Sequence, residues 1–239
     1  MKSSKQQFAS RLLASMLAMA MIAPVAPSYV FAQSSAQSQA PLSDQQLNSL
    51  VSPIALYPDS LISQILMAST YPLEVAEAAT WQKQNSRLSG AALDSALQSQ
   101  NWDPSVKSLV SFPQALQMMG SDLNWTQKLG DAVLAQQSDV MKAIQTMRAK
   151  AKQAGNLAST PQQTVTTSGQ TIIIQPANPQ VIYVPTYNPA VVYGPWPYPA
   201  YPPPPPYYPP GYVAGAELLS FGIGMAVGAA LFGGMHWGG

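Results

Sequence analysis

Residues 54–78 read IALYPDSLISQILMASTYPLEVAEA, and the fold turns on this stretch. Leu61, Ile62, Ile65, Leu66 and Ser69 recur three and four apart, the spacing of one face of an α-helix. Pro58 opens that helix, and Pro72 opens the next, which carries Val75, Ala76, Ala79 and Trp81. Proline is favoured in a first helical turn because its missing N–H would have no partner there anyway. Asp59 stands beside Pro58 at a helix start, where Asp is a common cap.

The same punctuation extends in both directions. Upstream, Ser43 can cap a helix carrying Leu47, Leu50 and Val51. Downstream, Ser89 precedes a short helix marked by Leu93 and Leu97, and Asp103-Pro104 and Phe112-Pro113 repeat the proline device. A last helix is predicted over 138–154, from Asp139 to the basic residues Lys142, Arg148, Lys150 and Lys152. Acid first and base last complement the helix dipole, and Gly155-Asn156 is a stop signal. Residues 42–156 therefore read as a bundle of about six to eight short helices, long enough to bury one core. Trp81, Trp102, Trp125 and the Met118-Met119 pair are its filling.

After a polar linker over 157–169, the period switches. Thr171–Ile174, Val181–Val184 and Ala190–Tyr193 are β-branched runs parted by Pro176-Ala177-Asn178-Pro179 and Asn188-Pro189. Residues 170–194 thus read as a short β segment of two or three strands. So few strands are marginal alone and must lie on the helical domain or on something else. Residues 195–212 hold five consecutive prolines among tyrosines, and proline at this density closes off helix and sheet. An extended polyproline II rod is predicted there. It presents Trp196, Tyr198, Tyr201, Tyr207 and Tyr208, either to dock with an envelope protein or glycan or simply as a spacer.

Residues 213–239 form a Gly-rich apolar tail in which Ala216, Ser220, Gly224 and Gly228 fall four apart. On a helix these would make a small-residue stripe, a glycine zipper, allowing close packing in a membrane or against a second copy. A buried segment of an assembly and a poorly ordered tail are the competing readings. The fold class expected is mainly α: a bundle of short helices with a small β appendage, then Pro/Tyr-rich and Gly-rich low-complexity tails.

At the other end, Lys2, Lys5 and Arg11 precede the apolar run Leu12–Ala23, and Val30-Phe31-Ala32 closes the segment. This is the three-part secretory signal, so residues 1–32 read as a signal peptide cleaved after Ala32. Residues 33–41 are a polar spacer. The expected location is the periplasm or cell envelope, with membrane association through residues 213–235. Cysteine is absent, which removes disulfides, thiolate metal sites and a lipid-modified cysteine. Beyond Ala32 eight basic residues face 10 acidic ones, so nucleic acid is not an expected partner.

The chemistry of a catalytic centre is thin. Glu74 and Glu77 share a helix face and could divide acid and base roles in cleaving wall glycan, but negative charges also suit a helix start. Asp103, like Asp59, reads as a cap. His236 is the single histidine and lies outside the helical region, so neither a histidine-rich zinc site nor a Ser–His–Asp triad can form there. No catalytic, cofactor-binding or metal residues are assigned.

The blocks Ile54–Leu61, Ala68–Val75, Trp102–Leu109, Phe112-Pro113 and Val181–Pro189 resemble, in order, those of a bacterial exported family catalogued as domain of unknown function 3300. The resemblance spans residues 42–193 and implies no activity. Together these readings predict a non-enzymatic structural or interaction protein of the envelope, tethered by its C-terminal segment. A wall-glycan enzyme using Glu74 or Asp103 is the alternative.

Overall fold

The computed structural model describes residues 40–209, 219–222 and 224–226. The expected cleavage site at Ala32, together with Ala216 and Gly228, lies outside them. Seven helices come first: α1 (Asp44–Val51), α2 (Asp59–Ala68), α3 (Pro72–Gln84), α4 (Gly90–Gln98), α5 (Pro104–Leu109), α6 (Pro113–Ser121) and α7 (Leu123–Gln153). Local chemistry starts most of them. Ser43 and Gln46 form a reciprocal capping box on α1. Proline occupies the first turn of α3, α5 and α6. The carboxylates of Asp103 and Asp122 accept from the N–H groups of Ser105 and Trp125, at 2.8 and 2.9 Å. Asp59 does not cap α2, contrary to expectation; its carboxylate is engaged by Arg148.

The final helix spans Leu123–Gln153 but breaks at Gln136 (φ −151°, ψ 51°), so the part beyond the break is the helix expected over 138–154 and the turns before it are additional. The Gln136 amide explains the break. It accepts from Leu42 N at 2.7 Å and donates to Leu42 O at 3.1 Å, clamping the chain start against the kink. The bundle core contains Trp102, Trp125, Phe112, Met118 and Met119, while Trp81 is half-buried against it. Trp125 brings its polar edge inside and donates to Leu50 O at 2.9 Å.

The small β part departs from the sequence reading in three places. Residues 163–168, expected as linker, form β1 (Gln163–Ser168), antiparallel to β2 (Thr171–Pro176) in a hairpin turning at Gly169. The β-branched run Thr164–Thr167 is a strand signal that its polar character hid. Ile172 and Ile174 of β2 point inward, and β2 lies on α2 and α7. Strands β3 (Val181–Ile182) and β4 (Pro185–Tyr187) follow. The expected strand at 190–193 is instead the short helix α8 (Pro189–Val192). Asn188 caps it, accepting from Ala190 N at 2.9 Å, and Pro189 occupies its first turn.

The apolar tail supplies β5 (Leu219–Phe221), antiparallel to β4, and β6 (Met225–Ala226), antiparallel to β3. Ser220 therefore sits in a strand, and Gly224 lies directly before one. The four-residue stripe needs a helix, so these two residues do not belong to a helical zipper. Among the described residues no helix is long and apolar enough to cross a membrane.

Candidate functional site

Arg148 is expected among the basic residues that end the last helix and complement its dipole. Lys150 and Lys152 are in that last turn, but Arg148 is fully buried. Its Nε donates to Ala55 O at 2.8 Å, Nη1 to Ile172 O at 2.8 Å and Nη2 to Tyr57 O at 3.0 Å. Nη1 also lies 2.7 Å from the Asp59 carboxylate. Burial pulls the guanidinium pKa down, and the Asp59 charge opposes that shift. The fork thus pins α7 simultaneously to the turn over 52–58, to α2 and to β2.

That turn carries the floor of an aromatic groove. The Tyr187 hydroxyl donates to Ser52 O at 3.0 Å and accepts from Leu56 N at 3.3 Å, and the Tyr193 hydroxyl also donates to Ser52 O. Tyr57, Tyr187 and Tyr193 are buried, and burial pushes all three phenol pKa values up. Their rings meet edge to face, Tyr57 with Tyr187 at 6.3 Å and Tyr187 with Tyr193 at 6.2 Å. The file continues outward through Trp196, 6.3 Å from Tyr193, to Tyr198, 5.7 Å from Trp196.

The groove itself is lined by Tyr57, Gln114, Met118, Thr186 and Tyr187, with Pro53, Pro185 and Pro189 at its walls. Gln114 Nε2 donates to Thr186 Oγ1 at 2.7 Å, joining α6 to β4, and the Tyr57 hydroxyl lies 3.7 Å from Met118 Sδ. Pro206 and Tyr207 complete the lining, leaving about 10 Å³ free, room for about one water. The Pro/Tyr segment is thus a strap laid on its own domain, not a rod held clear of it. Asn48 Nδ2 donates to the Tyr198 hydroxyl at 3.1 Å, Ser49 Oγ to Pro202 O at 2.7 Å, and Lys150 stands 5.6 Å over the Tyr198 ring. Of the aromatic residues predicted for interaction, Trp196, Tyr198 and Tyr207 are half-buried, whereas Tyr201 and Tyr208 are 38% and 43% exposed.

A second corner gathers the carboxylates considered for catalysis. Glu74 Oε2 accepts from Asp103 N at 2.6 Å, Glu77 Oε2 accepts from Trp102 Nε1 at 3.1 Å, and Asp103 caps α5. The exposed Tyr71 beside them has its phenol pKa raised, chiefly by the Asp103 charge. Each carboxylate is thus engaged in fixing the α3–α5 junction. Among the described residues no group of three or more His, Asp or Glu side chains is placed to hold a metal ion.

Sequence reasoning named the strap aromatics but missed the groove. Tyr57 and Tyr187 stood in the family-like blocks, yet nothing in their spacing links residues 130 positions apart. Arg148 was hidden by Lys150 and Lys152, which share its basic run.

The architecture is that of a mainly α domain with a small β part, its C-terminal arm folded back over an aromatic groove. The chain belongs to the family described as protein of unknown function DUF3300, which matches over residues 43–239. It is similar to the uncharacterized protein YacH of Escherichia coli (strain K12), at 40% identity over 235 residues. That match covers 82% of this chain and 37% of the relative, so the chain spans just over a third of that protein's length. No solved structure matches.

Proposed function

We propose that the protein is an exported, non-enzymatic interaction module of the bacterial cell envelope. The observation carrying this reading is the strap: it is fixed on the domain through Trp196, Tyr198 and Tyr207 while Tyr201 and Tyr208 face outward. Aromatic rings held on a proline-stiffened segment offer a contact surface with little entropy left to lose. The N-terminal pattern over 1–32 supports export. Ser220 pairs as a strand with Thr186 of the same chain, which supports packing against the domain, not a bilayer-spanning helix, as the role of the apolar segment around it.

Expression in bacteria with fractionation tests the first part. The protein should leave with the periplasmic contents and begin at Gln33; retention in the cytoplasm with Met1 intact would sink export. For the surface, Tyr201→Ala with Tyr208→Ala should abolish co-sedimentation with purified envelopes while leaving the unfolding midpoint in place. Undiminished co-sedimentation would remove the tyrosines from the reading.

The second reading is an enzyme acting on wall glycan, supported by the approach of Glu74 to Asp103 beside Tyr71. It requires release of muropeptides from purified wall by the full chain and loss of that release in Glu74→Gln or Asp103→Asn. Turnover with that dependence would displace the first reading.

A further inference from the structure

Three of the described tyrosines are buried, and two of them donate to an oxygen, the carbonyl of Ser52. The third, Tyr57, donates instead to Met118 Sδ at 3.7 Å. Among the described residues that thioether is the one acceptor its hydroxyl has. Sulfur accepts weakly, so this buried donor gains less than an oxygen partner would give it. Burial keeps the phenol protonated, and it remains a donor across the ordinary pH range.

Met118 differs from the other buried methionines. Met119 and Met147 are sealed in the core, whereas Met118 keeps 8% exposure and lines the groove. Beside it lies space for about one water, with the half-buried Tyr207 among the lining residues. The chain has no cysteine, so its thioethers are its only sulfur. A polarizable thioether next to water-sized space is within reach of small oxidants.

We propose that Met118 is a peroxide-reactive site, its thioether taking an oxygen atom from hydrogen peroxide and the sulfoxide oxygen becoming the acceptor that Tyr57 lacks. A sulfur lone pair attacks one peroxide oxygen, the O–O bond breaks, and the other oxygen leaves as hydroxide. That hydroxide takes the proton left on the sulfur-bound oxygen, directly or by relay through the Tyr57 hydroxyl, and becomes water. Sulfur is oxidised by two electrons and the peroxide reduced by two. A sulfoxide ordinarily disrupts a core because it is polar. Here a protonated donor already faces the sulfur, so the new oxygen is met by a hydrogen bond. Two-electron reduction returns the thioether, which lets the groove register peroxide and be reset. This chemistry is stoichiometric and stands apart from the interaction reading.

The test treats the full chain with dilute hydrogen peroxide and follows each methionine by peptide mass spectrometry. Met67, 51% exposed, sets the rate of an open thioether, and fully buried Met119 reports that the core stays closed. Met118 should gain one oxygen faster than the half-buried Met141, although it is the less exposed of the two, while Met119 stays unmodified. In Tyr57→Phe the Met118 rate should fall several-fold with Met119 still protected. If Met118 reacts no faster than Met141, or if Tyr57→Phe leaves its rate unchanged, reactivity follows exposure alone and the proposal falls. Should Tyr57→Phe open the core and expose Met119, the comparison of Met118 with Met141 in the native chain decides by itself.

Discussion

Arg148 makes the strongest single demand on this fold. A guanidinium taken wholly out of water is tolerated only when its donors are matched, and here three carbonyls and one carboxylate meet it. Arg148→Ala would leave Asp59 and the carbonyls of Ala55, Tyr57 and Ile172 without that partner. Loss of one member of a buried pair costs about 3–5 kcal/mol, so urea unfolding should show a fall of that order. Arg148→Lys should recover only part of it, because an ammonium cannot present a planar fork to carbonyls on separate elements. A change below about 1 kcal/mol in Arg148→Ala would contradict this role.

At the scale of elements, the proline signal was legible wherever it stood before a helix-period pattern, as at Pro72, Pro104 and Pro113. The same signal at Asn188-Pro189 was outweighed by the β-branched pair Val191-Val192, though cap and first turn proved decisive for α8. Contacts between elements left weaker traces. Gly130 of α7 faces the end of α2 so closely that a Cβ would lie 2.2 Å from Ser69 O, and Gly120 of α6 meets Ala79 of α3 with 2.6 Å to its Cβ. Backbone cannot yield as a flexible side chain can. Gly130→Ala, ordinarily favourable in a helix, should instead destabilise by about 1–3 kcal/mol through overpacking. Chemical denaturation decides it; a stabilised variant would mean that the crossing is looser than the structure shows.

The molecule as a whole is tied together by buried tyrosines from three places: the turn after α1, β4 and the residue after α8. Their folded pKa values lie above the ordinary value near 10. Below about pH 10 both folded and unfolded chains keep these protons, so the tyrosine contribution to stability is complete there. Above it the unfolded chain releases protons that the folded chain retains, and stability falls as pH rises. Urea midpoints should therefore hold steady to about pH 9 and drop beyond about pH 10, less steeply in Tyr187→Phe. An unchanged slope in that variant would remove Tyr187 from the linkage.

Sequence by itself determined the helical bundle, because periodicity, caps and first-turn prolines act within a few residues of one another. It also carried the family blocks and the aromatic content of the strap. Only tertiary structure decided what those pieces meet. Arg148 reaches a carbonyl 93 residues away, and Asn48 reaches a tyrosine 150 residues away, separations at which local pattern holds no information. Ser220 and Gly224 show the same limit most sharply. Their four-residue spacing fits a helix, but Ser220 pairs with Thr186 of β4 and Gly224 lies against Val181 and Tyr183 where only glycine passes, and those distant partners set the outcome.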